Sequence, residues 1–85
     1  MEGEWDRLEL LYGVDNIKRA RGYAEIVYEE SNPKVIEDII KRIDTFGEKR
    51  VKAAFDIAAK KSPANPKRCY PYVKGIMDKW ERRIK

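Results

Sequence analysis

Residues 32–43, Asn32-Pro33-Lys34-Val35-Ile36-Glu37-Asp38-Ile39-Ile40-Lys41-Arg42-Ile43, decide the fold class. Val35, Ile36, Ile39, Ile40 and Ile43 recur at steps of one, three and four. That spacing places five β-branched side chains on one face of an α-helix, over two to three turns. Asn32 is a suitable N-cap. Pro33 suits the first helical position, where a backbone N–H would be left unpaired in any case.

Downstream, Thr45-Phe46-Gly47-Glu48 has the T-x-x-E pattern of a capping box, which predicts a new helix starting at Thr45. Its apolar face is Val51, Ala54, Phe55 and Ala58, widened by Ala53, Ile57 and Ala59. Ser62-Pro63-Ala64-Asn65-Pro66 cannot continue a helix, so that element ends near Lys61. A last helix carries Pro71 in its first turn and Tyr72, Val73, Ile76, Met77, Trp80 and Ile84 on one broad face. Upstream, Trp5, Leu8, Leu11 and Tyr12 predict a short helix ending at Gly13. Asp15 then caps a longer one bearing Ile17, Ala20, Ala24, Val27 and Tyr28. The expectation is an all-α fold: one domain, a compact bundle of about five short helices, with no internal repeat and no low-complexity tract.

Composition narrows function mainly by exclusion. Histidine is absent, which removes the commonest general acid-base group and the commonest metal ligand. The lone Cys69 completes neither a zinc site nor an internal disulfide, and points to a reducing, cytoplasmic setting. The glycines fall singly, with no phosphate-binding spacing. Acidic residues sit at helix-surface spacings beside Lys or Arg, as in Glu37-Asp38 before Lys41-Arg42, which is how solvated i,i+4 pairs look. No apolar run is long enough to span a bilayer, and the acidic start, Met1 to Asp6, does not resemble a signal peptide. The expectation is a binding module without catalytic residues, cofactor or metal, and without a membrane partner.

Charge is segregated along the chain. Residues 1–30 hold four Lys+Arg against eight Asp+Glu, residues 31–60 seven against five, and residues 61–85 eight against two. A basic C-terminal third behind an acidic N-terminal third suggests a polyanion-binding face. Lys79, Arg82, Arg83 and Lys85 also suit the negative end of the last helix dipole.

The C-terminal part, Asn32 to Arg83, resembles the DnaD-like domain, the C-terminal module of primosome and replisome-organiser proteins of low-GC Gram-positive bacteria and their phages. The resemblance rests on Phe46-Gly47-Glu48, on Val51, Ala54, Ala58 and Ala59, and on Tyr72, Ile76, Met77 and Trp80 in a YxxxILxxW-like motif. Met77 replaces the usual Leu, an exchange that nearly preserves volume. The loop from Ser62 to Arg68 is longer and richer in proline than the family pattern, and residues 1–31 match nothing in it.

The resemblance implies a non-enzymatic scaffold of bacterial or phage DNA replication. Such a protein binds single- or double-stranded DNA, self-associates as a homo-oligomer, and works with the replicative helicase or its loader. Carried over, the DNA-binding residues are Lys79, Arg82, Arg83 and Lys85, extended by Lys67, Arg68 and Lys74. Each cation neutralises a phosphate and releases counterions, so binding weakens with salt. Tyr72, Ile76 and Met77 have the spacing of core residues, whereas Trp80 and Tyr70 are expected to be partly exposed and able to stack on a base. The alternative is a protein-interaction adapter that uses surplus apolar surface on the Val35–Ile43 helix and on Trp5, Tyr12, Tyr23 and Tyr28.

Overall fold

A computed structural model describes the backbone of residues 2–84 and the side chains of residues 3–80. Among them are five α-helices and no strand: α1 (Glu2–Tyr12), α2 (Val14–Ala24), α3 (Pro33–Phe46), α4 (Glu48–Ala59) and α5 (Tyr70–Ile84). A single 3-10 turn (Glu25–Val27) follows α2. The start of α3 follows the sequence pattern: Asn32 is the N-cap, and its side chain accepts from the Lys34 N–H at 3.1 Å.

Two helix boundaries were misplaced by the cap signals. Thr45 does not start a helix. It lies within α3, where its hydroxyl donates to the Lys41 carbonyl, and α3 runs on to Phe46. Asp15 does not cap α2 but sits in its first turn. In both places one glycine ends one helix and begins the next: Gly13 at φ 87°, ψ 155°, and Gly47 at φ 91°, ψ 149°. That backbone conformation is essentially closed to residues with a Cβ. The corners also share a pattern, so the chain does carry a weak internal repeat. Tyr12-Gly13 with Ile17, Lys18, Ala20 and Ala24 matches Phe46-Gly47 with Val51, Lys52, Ala54 and Ala58. In each half the aliphatic residue and the two alanines are buried.

Each helix packs on the next, and α1 also returns to α3. The Cα extents of 34 × 33 × 16 Å leave depth for two helix layers and no more, since packed axes lie about 8–10 Å apart. The core is formed by Leu8, Ile17, Ala20, Ala24, Val27, Ile36, Ile39, Ile40, Val51, Ala54, Phe55, Ala58, Tyr70, Val73 and Met77. Phe55 lies at its centre, with rings stacked on it from Tyr23 at 5.5 Å and Tyr70 at 6.2 Å.

Several faces differ from expectation. The isoleucines of α3 are used inside, so that helix has no surplus apolar face. Leu11 is exposed rather than buried, as are Ala53 and Ala59 on α4. Tyr28 is not helical: it adopts the left-handed conformation after the 3-10 turn and is exposed. Tyr70, expected near the surface, is buried.

α3 stands between α1 and α5. Its Glu37 accepts from Arg7 (3.2 Å) and Tyr12 (2.9 Å) of α1, while Asp38 accepts from the Tyr70 hydroxyl of α5. Arg42 joins Asp38 at 2.9 Å to Asp78 of α5 at 3.0 Å.

Candidate nucleic-acid interface

The connection between α4 and α5 builds one side of the candidate site. Pro63 and Pro66 bar helix, and Asn65 folds the segment on itself. Its side chain accepts from the Lys67 N–H at 2.9 Å and its carbonyl from the Arg68 N–H at 3.0 Å. Arg68 then anchors the loop. Its Nε donates to the Ile26 carbonyl at 2.8 Å, and its Nη1 donates to Lys61 at 2.9 Å and more loosely to Ala59 at 3.4 Å. These are carbonyls that the end of α4 and the 3-10 turn leave without helical partners. The guanidinium also lies 5.5 Å from the Tyr28 ring centre. Arg68 was grouped with the DNA-contacting cations in the sequence; the structure gives its donors to the backbone.

The anchored loop brings two ammonium groups to one aromatic ring. Lys61 Nζ lies 5.8 Å and Lys67 Nζ 6.0 Å from the centre of Tyr72, which is half-buried in the first turn of α5. Ile76, one turn on, is half-buried, and Lys79 in the next turn is exposed. Met77, by contrast, is wholly buried, while Trp80 is partly exposed. The side chains of Arg82, Arg83 and Ile84, and Lys85 altogether, lie outside the described residues.

Lys74 lies elsewhere on α5. It shares the α3-facing side with Tyr70 and Asp78, near enough to Asp38 to stabilise that carboxylate. Lys74, Arg42, Asp38 and Asp78 together sum to no net charge, so Lys74 adds little to the field outside. Burial works against the Asp38 carboxylate, but the bonds from Tyr70 and Arg42 outweigh it and hold its pKa below the ordinary range. For Tyr70, burial and then the bond to Asp38 push the phenol well above its ordinary value.

Among the described side chains the paired cations are Arg7, Arg19, Arg42 and Lys52, all in the first two-thirds of the chain. Lys18, Arg21, Lys34, Lys41, Lys49 and Arg50 form no ion pair among the described side chains. Lys60, Lys61, Lys67 and Lys79 meet no carboxylate among the described side chains. Asp78, which interrupts the basic sequence, is taken up by Arg42. The edge formed by the α4 end, the loop and α5 is therefore positive, with an aromatic ring at its centre. Lys61 was missed as a site residue because its approach to Tyr72 depends on a loop closure that no local pattern reports.

No three Cys, Asp or Glu side chains come together as a metal site would need among the described residues, and Cys69 is a half-buried free thiol. None of the described helices is long and apolar enough to cross a membrane. Comparison with protein-family models, with curated proteins and with solved structures gives no match to this chain.

Proposed function

We propose that this protein is a non-enzymatic DNA-associated module of bacterial or phage replication, DnaD-like in its α3–α5 part. It engages DNA without sequence preference along the edge formed by Lys61, Lys67, Tyr72 and Lys79. The carrying observation is the pair of ammonium groups beside the partly exposed Tyr72 ring, on an edge where Lys61, Lys67 and Lys79 meet no described carboxylate. Each cation neutralises a phosphate, and an aromatic ring beside them suits an unpaired base. Stacking on Tyr72 favours single strands over duplex, whose bases are already stacked. Replicative helicase or its loader is the protein partner the DnaD resemblance implies, and the cytoplasm is the compartment.

The test is fluorescence anisotropy with labelled single- and double-stranded oligonucleotides at two salt concentrations. One variant changes Lys79, Arg82, Arg83 and Lys85 to alanine, and a second changes Lys61 and Lys67. Salt-sensitive binding lost in both variants supports the proposal; no binding by the intact chain at low salt sinks it. A second reading, a protein adapter without DNA contact, is favoured by one observation. Leu10, Leu11 and Val14 are 89%, 60% and 48% exposed at a single corner.

A further inference from the structure

A cleft of about 550 Å³ opens where α1 and α2 meet the C-terminal half of α3. That size falls within the roughly 300–1,000 Å³ of small-molecule sites. Its apolar wall is formed by Leu11, Ile40 and Ile43 with the ring of Tyr12. Ile40 is buried, Ile43 half-buried and Leu11 exposed, so the wall runs from the core out to solvent. The Tyr12 hydroxyl is already engaged, donating to Glu37 at 2.9 Å. The polar lining is Asn16 and Arg19 from α2, and Lys41 and Asp44 from α3.

These four polar groups have unused capacity of both signs. Lys41 and Asp44 are exposed and form no ion pair among the described side chains. Asn16 donates through its amide nitrogen to the Tyr12 carbonyl at 2.6 Å, and its Oδ1 accepts from no described group. Arg19 meets Glu48 only at 3.5 Å, while Glu48 also accepts from the Tyr23 hydroxyl at 2.8 Å. Arg19 can therefore turn to a ligand without leaving Glu48 unpaired. A simple carboxylic acid would suit Lys41 and Arg19 but face Asp44, and a simple amine would meet the opposite conflict. From this lining we propose that the cleft binds a free α-amino acid with a large apolar side chain. Its carboxylate lies at Lys41 and Arg19, its ammonium at Asp44 and the Asn16 Oδ1, and its side chain against Leu11, Ile40 and Ile43. Lys41 and Asp44 stand one turn apart on the same side of α3, which suits two opposite charges carried on one carbon. The inference rests neither on DNA binding nor on the DnaD resemblance. Because the charged groups are solvent-exposed and screened, binding is weak, in the millimolar range.

Methyl-resolved NMR titration of the intact chain with L-phenylalanine, without nucleic acid, tests this. The methyl signals of Leu11, Ile40 and Ile43 should shift saturably. N-acetylphenylalanine and phenylalaninamide each lack one charge and should bind roughly two- to fivefold more weakly, the worth of one exposed ion pair. Lys41→Ala and Asp44→Asn, both at exposed positions, should weaken phenylalanine binding by a similar factor while the rest of the spectrum stays native. Asp44→Asn should not weaken binding of N-acetylphenylalanine, which has no ammonium to lose. The inference is overturned if those methyl signals do not move, or if both charge-blocked analogues bind as well as phenylalanine, which marks apolar adsorption alone. A dipeptide ending in phenylalanine that binds more tightly than the free amino acid would also overturn it, by pointing to a peptide terminus instead.

Discussion

The hydroxyl of Tyr70 donates to the carboxylate of Asp38, and this bond crosses from the first turn of α5 to the middle of α3. It is the reason a residue that looks like surface in the sequence is buried. The ring stacks on Phe55 while the polar end finds a charged acceptor at the edge of the core. Tyr70→Phe keeps the ring and removes the donor, leaving Asp38 with Arg42 alone. The expected loss is about 1–3 kcal/mol of stability, read from urea denaturation. An unchanged midpoint would mean that the bond is not maintained in solution.

Stability should fall at both pH extremes for opposite reasons. Asp38 has a depressed folded pKa, so its contribution is present above the ordinary carboxylate value of about 4 and is lost as pH falls through the folded value. Tyr23 is pushed up to about 12 by burial and by its bond to Glu48, and Tyr70 is raised as well. Their contributions are complete below the phenol's ordinary value of about 10 and are lost as pH rises through the folded values. Urea midpoints measured across pH should show a plateau between these limits. Asp38→Asn should flatten the acid side, and an acid limb identical to that of the parent would refute the assignment.

Gly13→Ala and Gly47→Ala should each cost on the order of 1–3 kcal/mol, although nothing lies within 4 Å of the added methyl group. The cost is in the backbone, since both glycines have φ near +90°. Gly22→Ala, inside α2 and equally open, should instead stabilise by about 0.5–1 kcal/mol. Thermal unfolding of the three variants separates the two effects. Equal shifts in all three would mean the corners are not as described.

Arg68 and Lys67 are neighbours with different work. Arg68→Ala removes charged hydrogen bonds to Ile26 and Lys61 and should destabilise by about 1.5–3 kcal/mol. Lys67→Ala, on an exposed side chain, should leave stability within about 0.5 kcal/mol of the parent and weaken oligonucleotide binding instead. Denaturation and anisotropy measured on both variants should cross over in this way. Similar stability losses in the two would assign Lys67 to the fold as well.

Helix count, the all-α class, the N-cap at Asn32 and most of the core of α3 and α4 were legible in the sequence. Each depends on side chains within a turn or two of one another, and periodicity reports such neighbours directly. The same is true of the acidic start and basic end. What only the tertiary structure decided were relations across long separations. The T-x-x-E pattern around Thr45 is a local signal that lost to Gly47, because the corner must place α4 against the core and only glycine takes the required φ. Tyr70 went inside because Asp38, far off in sequence, supplied an acceptor. Arg68 became an anchor because loop closure brought three carbonyls to it. Leu11, one turn on from the buried Leu8, stayed exposed at the rim of a cleft that it lines with Tyr12 and with Ile40 and Ile43 of α3. Composition set how much charge and apolar surface the chain carries; packing chose which side chains were used up internally, and so which were left at the surface.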